Sequence, residues 1–221
     1  MTKIVLRIGG SILGSPPDGR VMASYAAVVE DVVKKGHRVA IVVGGGSVAR
    51  QYIEAAASLG LPHRDQDRIA IQASRLNAKL VGMRLGYPDV PTTIGTAVAR
   101  VSRDGVVVMG GLRPGITTDT VATLLAGAWR SDVMIKASNQ DGIYTADPRK
   151  HRDARLLPRV SYETLVEILG GVHAPGIHSI VDPVAVEMIA EHRLRLVVVN
   201  GDDPENVLSA VLGKPVGTKV G

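Results

Sequence analysis

The 221-residue sequence predicts an α/β fold: a three-layer αβα sandwich around a largely parallel central sheet. Short β-branched runs alternate with longer segments of helical periodicity, as βα units require. Apart from Arg7 and Lys136, the runs are apolar behind their first residue instead of alternating with polar residues, which is the pattern of strands buried on both faces. Glycine-rich turns follow several of them. A hydrophobic fraction of 45% is ample for one large core, and no linker-like stretch divides the chain, so residues 1–221 are expected to form a single domain.

Lys3–Ile8 reads as the first strand. Pro16-Pro17 sets a turn before a helix over Arg20–Lys35, and Gly36 follows at the C′ position, where a left-handed conformation favours glycine. Arg38–Val43 is the second strand, Ser47–Leu59 a helix with Gly60 at its C′ position, and Asp67–Leu85 a further helix. Val106–Met109 and Asp132–Ala137 read as strands flanking a helix over Thr118–Trp129. Ser161–Leu169 and Pro183–Glu191 read as helices, Arg195–Val199 as a buried strand and Pro204–Leu212 as the last long helix. The polar segment Asn139–Pro158, with Asp141-Gly142 and Ala146-Asp147-Pro148, breaks the alternation. It is either a ligand-binding loop beyond the strand ends or a solvated excursion carrying a small hairpin.

Composition removes several function classes. Without cysteine there is no disulfide, thiolate nucleophile or cysteine-ligated metal. The chain opens on a strand pattern instead of a signal peptide, and charges or glycines interrupt every apolar run before it could span a bilayer, so a cytoplasmic protein with no membrane partner is expected. An excess of 26 Lys+Arg over 21 Asp+Glu invites a nucleic-acid reading. The basic residues are interleaved with acids, however, and no phenylalanine, one tryptophan and five tyrosines leave few platforms for bases, so no nucleic-acid partner is expected. The six histidines form no ligand spacing; His37, His63 and His192 are expected at the surface, His173 and His178 flank a late loop and are either exposed, the favoured reading, or near a phosphate, and no carboxylate cluster forms a metal cage.

The glycine turns carry the chemistry: Ile8-Gly9-Gly10-Ser11, Val43-Gly44-Gly45-Gly46-Ser47, and Met109-Gly110-Gly111 running on to Thr117-Thr118-Asp119. Where a buried strand ends in glycines and a helix begins, free N–H groups and the positive end of the helix dipole converge, which suits phosphate oxygens. Three such turns predict several phosphates in a chain, and so a site for two phosphorylated molecules. Gly44, Gly46 and Ala49 also satisfy the dinucleotide pattern, which keeps a dehydrogenase open; against it, no acidic residue closes a following strand to hold an adenosine ribose. No Gly-Lys-Ser/Thr follows any turn, so a P-loop is disfavoured. In the third turn, Thr117 or Thr118 is either a helix N-cap with Asp119 complementing the dipole, a ligand group, or both.

The ordered set Gly9-Gly10-Ser11, Gly44-Gly45-Gly46 with Arg50, Asp67 with Arg75-Leu76-Asn77, Gly110-Gly111 to Thr117-Thr118-Asp119, and Ser138-Asn139-Gln140-Asp141-Gly142-Ile143-Tyr144-Thr145-Ala146-Asp147-Pro148 resembles the amino acid kinase superfamily. Within it, Pro114-Gly115-Ile116-Thr117-Thr118-Asp119 is most similar to the UMP kinases of archaeal type, and the resemblance runs from Lys3 to about Thr218. It implies transfer of the γ-phosphoryl of ATP to UMP, with Mg²⁺ carried on the nucleotide, in a homohexamer.

The resemblance also implies roles. Gly9, Gly10 and Ser11 would cradle the transferring phosphate, Gly44 and Gly45 would lie between donor and acceptor phosphates, and Arg50 would grip the UMP phosphate. Asp67 would accept from the ribose hydroxyls, and Gly111, Leu112, Arg113, Pro114, Gly115, Ile116 and Thr117 would line the UMP pocket. Asp119 matches the aspartate that orients the catalytic cations, while Ser138, Asn139, Tyr144 and Asp147 match positions that hold the nucleoside of ATP. Two positions depart: Arg7 and Ser179 stand where many superfamily members carry lysine. Arg7 keeps the charge in a forked geometry, and Lys136 resembles a strand-end lysine of bacterial UMP kinases, so both are assigned to charge neutralisation. Another acceptor such as isopentenyl phosphate, or a noncatalytic nucleotide or oxoanion store on the same fold, are the competing readings.

Overall fold

The computed structural model describes residues 1–14, 16–170 and 180–221. Seven strands form one sheet in the order β3-β2-β1-β4-β6-β7-β5. These are β1 (Lys3–Ile8), β2 (Arg38–Val43), β3 (Val106–Met109), β4 (Val133–Ser138), β5 (Arg159–Val160), β6 (Leu196–Asn200) and β7 (Thr218–Val220). The five strands from β3 to β6 in that order are parallel; β7 runs antiparallel to β6, and β5 pairs with β7. The chain moves from β1 outward through β2 to β3 and then returns to place β4 on the other side of β1. That reversal makes the crevice beyond the carboxyl ends of β1 and β4 the topological switch point, where open α/β sheets bind ligands.

Two apolar layers enclose the sheet. On one face, α1 (Gly19–Lys34), α3 (His63–Arg84) and α8 (Glu205–Val211) bury Tyr25, Val29, Ala78, Val81 and Val207 against Leu6, Ile8, Ile41, Ile135 and Val199. On the other, α4 (Ile94–Asp104), α5 (Thr118–Trp129), α6 (Tyr162–Leu169) and α7 (Pro183–Glu191) cover Val5, Val42, Met109, Met134 and Val198. The remaining helix, α2 (Gly46–Ser58), packs on α3. No described helix is long and apolar enough to cross a membrane.

Five sequence-assigned elements coincide with the structure, and most others differ by one residue. The helix assigned from Asp67 begins earlier, at His63, because Pro62 takes the extended N-cap position and its carbonyl accepts from Asp65 and Gln66. The alternation assigns nothing between residues 86 and 105, where α4 forms: Thr93 caps it by accepting from Thr96 N, and Gly105 ends it at φ 81°. Gly36 and Gly60 do take positive φ after α1 and α2. Asp18 caps α1 just after the proline pair, accepting from Arg20 N at 2.8 Å. The loop from 139 to 158 carries an antiparallel bridge between Tyr144 and Leu156, tied down where Thr218 Oγ1 donates to Leu157 O at 2.6 Å. His173, His178 and Ser179 lie outside the described residues.

Candidate active site

Arg7 and Lys136 are register partners on the adjacent strands β1 and β4, so their side chains leave the same face of the sheet side by side. That face is covered by α5, whose second residue is Asp119. Its carboxylate accepts from Lys136 Nζ through Oδ1, and Arg7 Nε lies 2.7 Å from the same oxygen in an ion pair whose angle falls outside hydrogen-bond geometry. Arg7 Nη2 donates to Thr118 Oγ1 at 3.0 Å. The Lys136 and Asp119 side chains are only 4% and 9% exposed, and Arg7 14%, so two cations share one carboxylate almost out of water. Removing either partner of such a cluster leaves an uncompensated buried charge.

Burial and the neighbouring Arg7 cation push the Lys136 ammonium down to about 8, against the pull of Asp119 and Asp182. Burial opposes ionisation of Asp119, but Arg7 and Lys136 outweigh it and hold that carboxyl below its usual range. Arg7 and Lys136 against Asp119 alone leave one positive charge near neutral pH, which faces the carboxylate of Asp182. A fourth member was not singled out in the sequence: Asp182 accepts from the Thr117 hydroxyl and, at 3.2 Å, from that of Thr120, while capping α7 through Ala185 N at 3.1 Å. Its only sequence signal is an Asp-Pro pair at a helix start.

The glycine turns meet beside this cluster. A Cβ on Gly10 would overlap Gly46 N and stand 2.7 Å from the Gly44 carbonyl carbon, so the first two turns are in backbone contact. The third touches α3, because a Cβ on Gly110 would lie 2.7 Å from Arg75 N. Packing thus demands these glycines independently of any ligand.

Some of the amides are already spent. Gly9 N–H donates to Ala137 O and Gly44 N–H to Ile8 O, both at 3.0 Å. Gly111 N–H goes to Ser74 Oγ and Gly115 N–H to Asp67 Oδ2, both at 2.8 Å. The N–H groups of Gly10, Ser11, Gly45, Gly46 and Ser47 have no protein partner among the described residues. Those five, together with the N-terminus of α2, are the donors left for an anion.

Helix α3 braces the turns. Arg75 donates from Nε to Gly111 O and from Nη2 to Leu112 O, both at 3.0 Å, and Asn77 Nδ2 donates to Gly44 O at 3.0 Å. These positioning roles follow from contacts across the fold, and the Arg75-Leu76-Asn77 motif alone names none of them. Asp67 holds the Pro114-Gly115 turn through Oδ2. Leu112 and Ile116 pack on the α5-side core, while Arg113 points to solvent. Thr117 is the α5 N-cap, its hydroxyl accepting from Asp119 N at 3.1 Å. Arg50 is exposed one turn into α2, with no ion pair or side-chain hydrogen bond among the described residues.

On the other side of the switch point, Ser138 ends β4 and its carbonyl accepts from Gly201 N at 2.7 Å, with Asn139 exposed next to it. Tyr144 Oη donates to Asp141 Oδ2 at 3.0 Å, Asn200 Nδ2 donates to Asp141 Oδ1 at 2.8 Å, and Asp147 Oδ1 accepts from Arg149 N at 3.0 Å. The described residues include no group of three or more histidine or carboxylate side chains that could hold a metal, and Asp119 and Asp182 are engaged by protein donors.

A buried charge cluster at the switch point, flanked by glycine turns, defines a protein that handles phosphorylated small molecules on a largely parallel α/β sheet. Residues 2–200 match the model of the amino acid kinase family, and the chain belongs to that family. It is 39% identical over 220 residues to a protein of Hyperthermus butylicus named uridylate kinase, covering 98% of this chain and 97% of the relative. A uridylate kinase of Methanosarcina acetivorans is likewise 39% identical, over 98% of this chain and 94% of that one. The crystal structure of uridylate kinase from Archaeoglobus fulgidus superposes with a TM-score of 0.90 at 37% identity, covering both chains in full.

Proposed function

We propose that the chain transfers the γ-phosphoryl of ATP to the phosphate of UMP, giving UDP and ADP, as one domain spanning residues 1–221. The observation that carries this reading is the buried Arg7–Asp119–Lys136 cluster at the switch point, between free amides on one side and the loop from Asn139 on the other. The identity of the acceptor rests on the full-length likeness to proteins named uridylate kinase.

In the proposed step an oxygen of the UMP phosphate forms a bond to the γ-phosphorus while the bond from that phosphorus to the β,γ-bridging oxygen breaks, and ADP leaves. The attacking phosphate is already anionic near neutral pH, so no general base is needed. The barrier lies in aligning two polyanions and offsetting charge on the equatorial oxygens. Arg7 and Lys136 supply that positive charge, held in place by Asp119. The amides of Gly10, Ser11, Gly45 and Gly46 cradle the phosphates, Arg50 swings onto the UMP phosphate, and Asp67 offers its second oxygen to the ribose. Ser138, Asn139, Tyr144 and Asp147 border the nucleoside of ATP. The engaged carboxylates form no magnesium cage, so Mg²⁺ would be held by the nucleotide phosphates, where it would add positive charge beside the transferring group.

We further propose a homohexamer in the cytoplasm. Leu76, Leu80 and Met83, one stripe of α3, are 59%, 45% and 58% exposed beside Tyr52 of α2, and this face is assigned to contact between copies. Light scattering of the parent and of Leu80→Lys tests it: a parent that runs as a monomer would remove the assignment. For the activity, a coupled assay with ATP, Mg²⁺ and a panel of nucleoside monophosphates plus isopentenyl phosphate is decisive. Turnover with UMP is the expected result; turnover with isopentenyl phosphate alone, or tight nucleotide binding with no turnover, would replace it.

A further inference from the structure

The end of the sheet opposite the candidate site carries a second concentration of positive charge. Residues entering β4 and β6 and those leaving α5 and α7 border an open cleft of about 680 Å³, lined by the exposed Arg130, Asp132, His192, Arg193 and Arg195 among others. With β4 six residues long, this cleft lies about 20 Å from the glycine turns at ~3.3 Å per residue. None of the three arginines makes an ion pair among the described residues. Arg193 stacks on the Tyr162 ring at 5.0 Å and stands within electrostatic reach of Glu163. The carboxylate in the lining, Asp132, accepts from Lys3 N at 2.7 Å, and the Lys3 ammonium adds another cation close by, donating to Trp129 O at 3.3 Å.

Backbone conformation supplies a second, independent observation. At the ends of α1, α2, α3, α4 and α8 the left-handed residue is a glycine: Gly36, Gly60, Gly86, Gly105 and Gly213. At the ends of α5 and α7 it is an arginine, Arg130 at φ 50° and Arg193 at φ 49°, and among the described residues these are the only non-glycines with positive φ. Glycine is the favoured residue there, and an arginine held in that conformation is strained. Both exceptions line the same cleft. A cation near a helix C-terminus complements the dipole, but among the described residues neither guanidinium donates a hydrogen bond to a terminal carbonyl. The two helix ends together contribute only about one unit of negative charge against three guanidinium groups.

We propose that this cleft is a second anion site, distinct from the kinase site, that binds a chain of phosphates from a nucleoside triphosphate or from inorganic polyphosphate. Forked guanidinium donors suit adjacent phosphate oxygens, and stacking on Tyr162 orients one of them in advance. Strain at Arg130 and Arg193 is then the cost of placing charge where glycine would fold better.

The test is calorimetric titration of tripolyphosphate, without magnesium, into protein preloaded with one equivalent of a bisubstrate analogue in which a phosphate chain joins adenosine to uridine, so that the glycine turns are already filled and no free nucleoside triphosphate is left to occupy the second site. One tripolyphosphate per chain is expected. The double variant Arg130→Gly/Arg193→Gly should weaken binding by about tenfold or more, while its anion-free thermal midpoint holds or rises and its kinase rate is unchanged. Arg195→Ala, away from both helix ends, should weaken binding in the same way, so the reading does not depend on the folding of one variant. No binding to the parent, or undiminished binding to both the double variant and Arg195→Ala, overturns the proposal. Because the kinase rate is read separately, loss of this site and loss of the proposed UMP phosphorylation are distinguishable. UTP in place of tripolyphosphate identifies the source: equal affinity assigns recognition to the phosphates alone, and tighter binding of UTP assigns it to a nucleotide.

Discussion

On β1 and β4, Leu6, Ile8, Ile135 and Ala137 face α1, α3 and α8 and lie in an apolar layer, whereas Arg7 and Lys136, one residue away on the same strands, face α5 and end its layer in charge. Strand periodicity of two makes this separation possible, because neighbouring residues belong to different layers. One face can then serve stability alone while the other, at its carboxyl end, holds a buried charge cluster. The difference teaches that the charge is confined to a place where α5 delivers Asp119 to receive it. Deeper in that layer the same face of β1 and β4 is apolar at Val5 and Met134.

Asp119→Ala breaks the comparison most severely. It leaves Arg7 and Lys136 buried without their shared carboxylate, and a loss of about 3–5 kcal/mol in chemical denaturation is expected, together with activity. Leu6→Ala on the apolar face is the control: about 2–5 kcal/mol is lost to the cavity while kcat of the folded fraction is kept. If Asp119→Ala unfolds at the parent's denaturant midpoint, the cluster is not the coupled unit described above.

Arg7→Ala sharpens the contrast by leaving Lys136 and Asp119 as a neutral pair. The expected result is a fall in kcat of about 10²–10³, the range for removing one preorganised donor to developing charge, with KM for both substrates little changed and Arg7→Lys restoring part of the rate. A variant as fast as the parent would move the catalytic charge to Lys136.

A smaller effect is expected from Arg50, which approaches from α2 and the opposite helix layer. Arg50→Ala should raise the KM for UMP by about 10- to 100-fold, as a charge-assisted contact of ~1.5–3 kcal/mol predicts, and affect ATP less. Steady-state kinetics with each substrate varied in turn checks this; equal losses would mean that Arg50 bridges both phosphates.

The smallest effect is that of pH. Burial pushes the Lys136 ammonium down to about 8, below the 10.5 of a solvated lysine, so the unfolded chain binds more protons between those values and this group makes stability rise with pH across that window. Activity should run the other way, since the cluster loses a charge above about 8. Thermal midpoints and kcat measured from pH 7 to 10 should therefore diverge in the parent, and the divergence should vanish in Lys136→Met.

Much of the scaffold was legible because its signals are local. β1, β2, β3, α5 and α7 match their sequence assignments since buried parallel strands are nearly continuous apolar runs and the two helices begin with a threonine cap and an Asp-Pro pair. β5 and β7, of two and three residues, carry too few positions for any period to register, and they exist because β6 offers an edge for β7 to join antiparallel. α4 does show Ile94, Ala97, Val98 and Val101 on one face, yet it lacks a preceding strand to place it in the alternation.

The sequence by itself determined the glycine turns, the likeness to a kinase family and the candidacy of Arg7, Asp119 and Lys136, because strand ends, caps and motifs are written in neighbouring residues. Tertiary structure decided what those residues touch. Arg7 and Lys136 are 129 positions apart, and only the strand order brings them into register under α5. The same folding spent the amides of Gly9, Gly44 and Gly111 on the protein, recruited Asp182 to Thr117, and assigned Arg75 and Asn77 to bracing the turns. At the amino ends of β4 and β6 it gathered Arg130 and Arg193, from the ends of two helices, and Arg195, from the approach to β6, into one cleft. Hydrogen bonds and charge pairs act over a few ångströms in space, and the separation along the chain says nothing of that distance until the sheet is assembled.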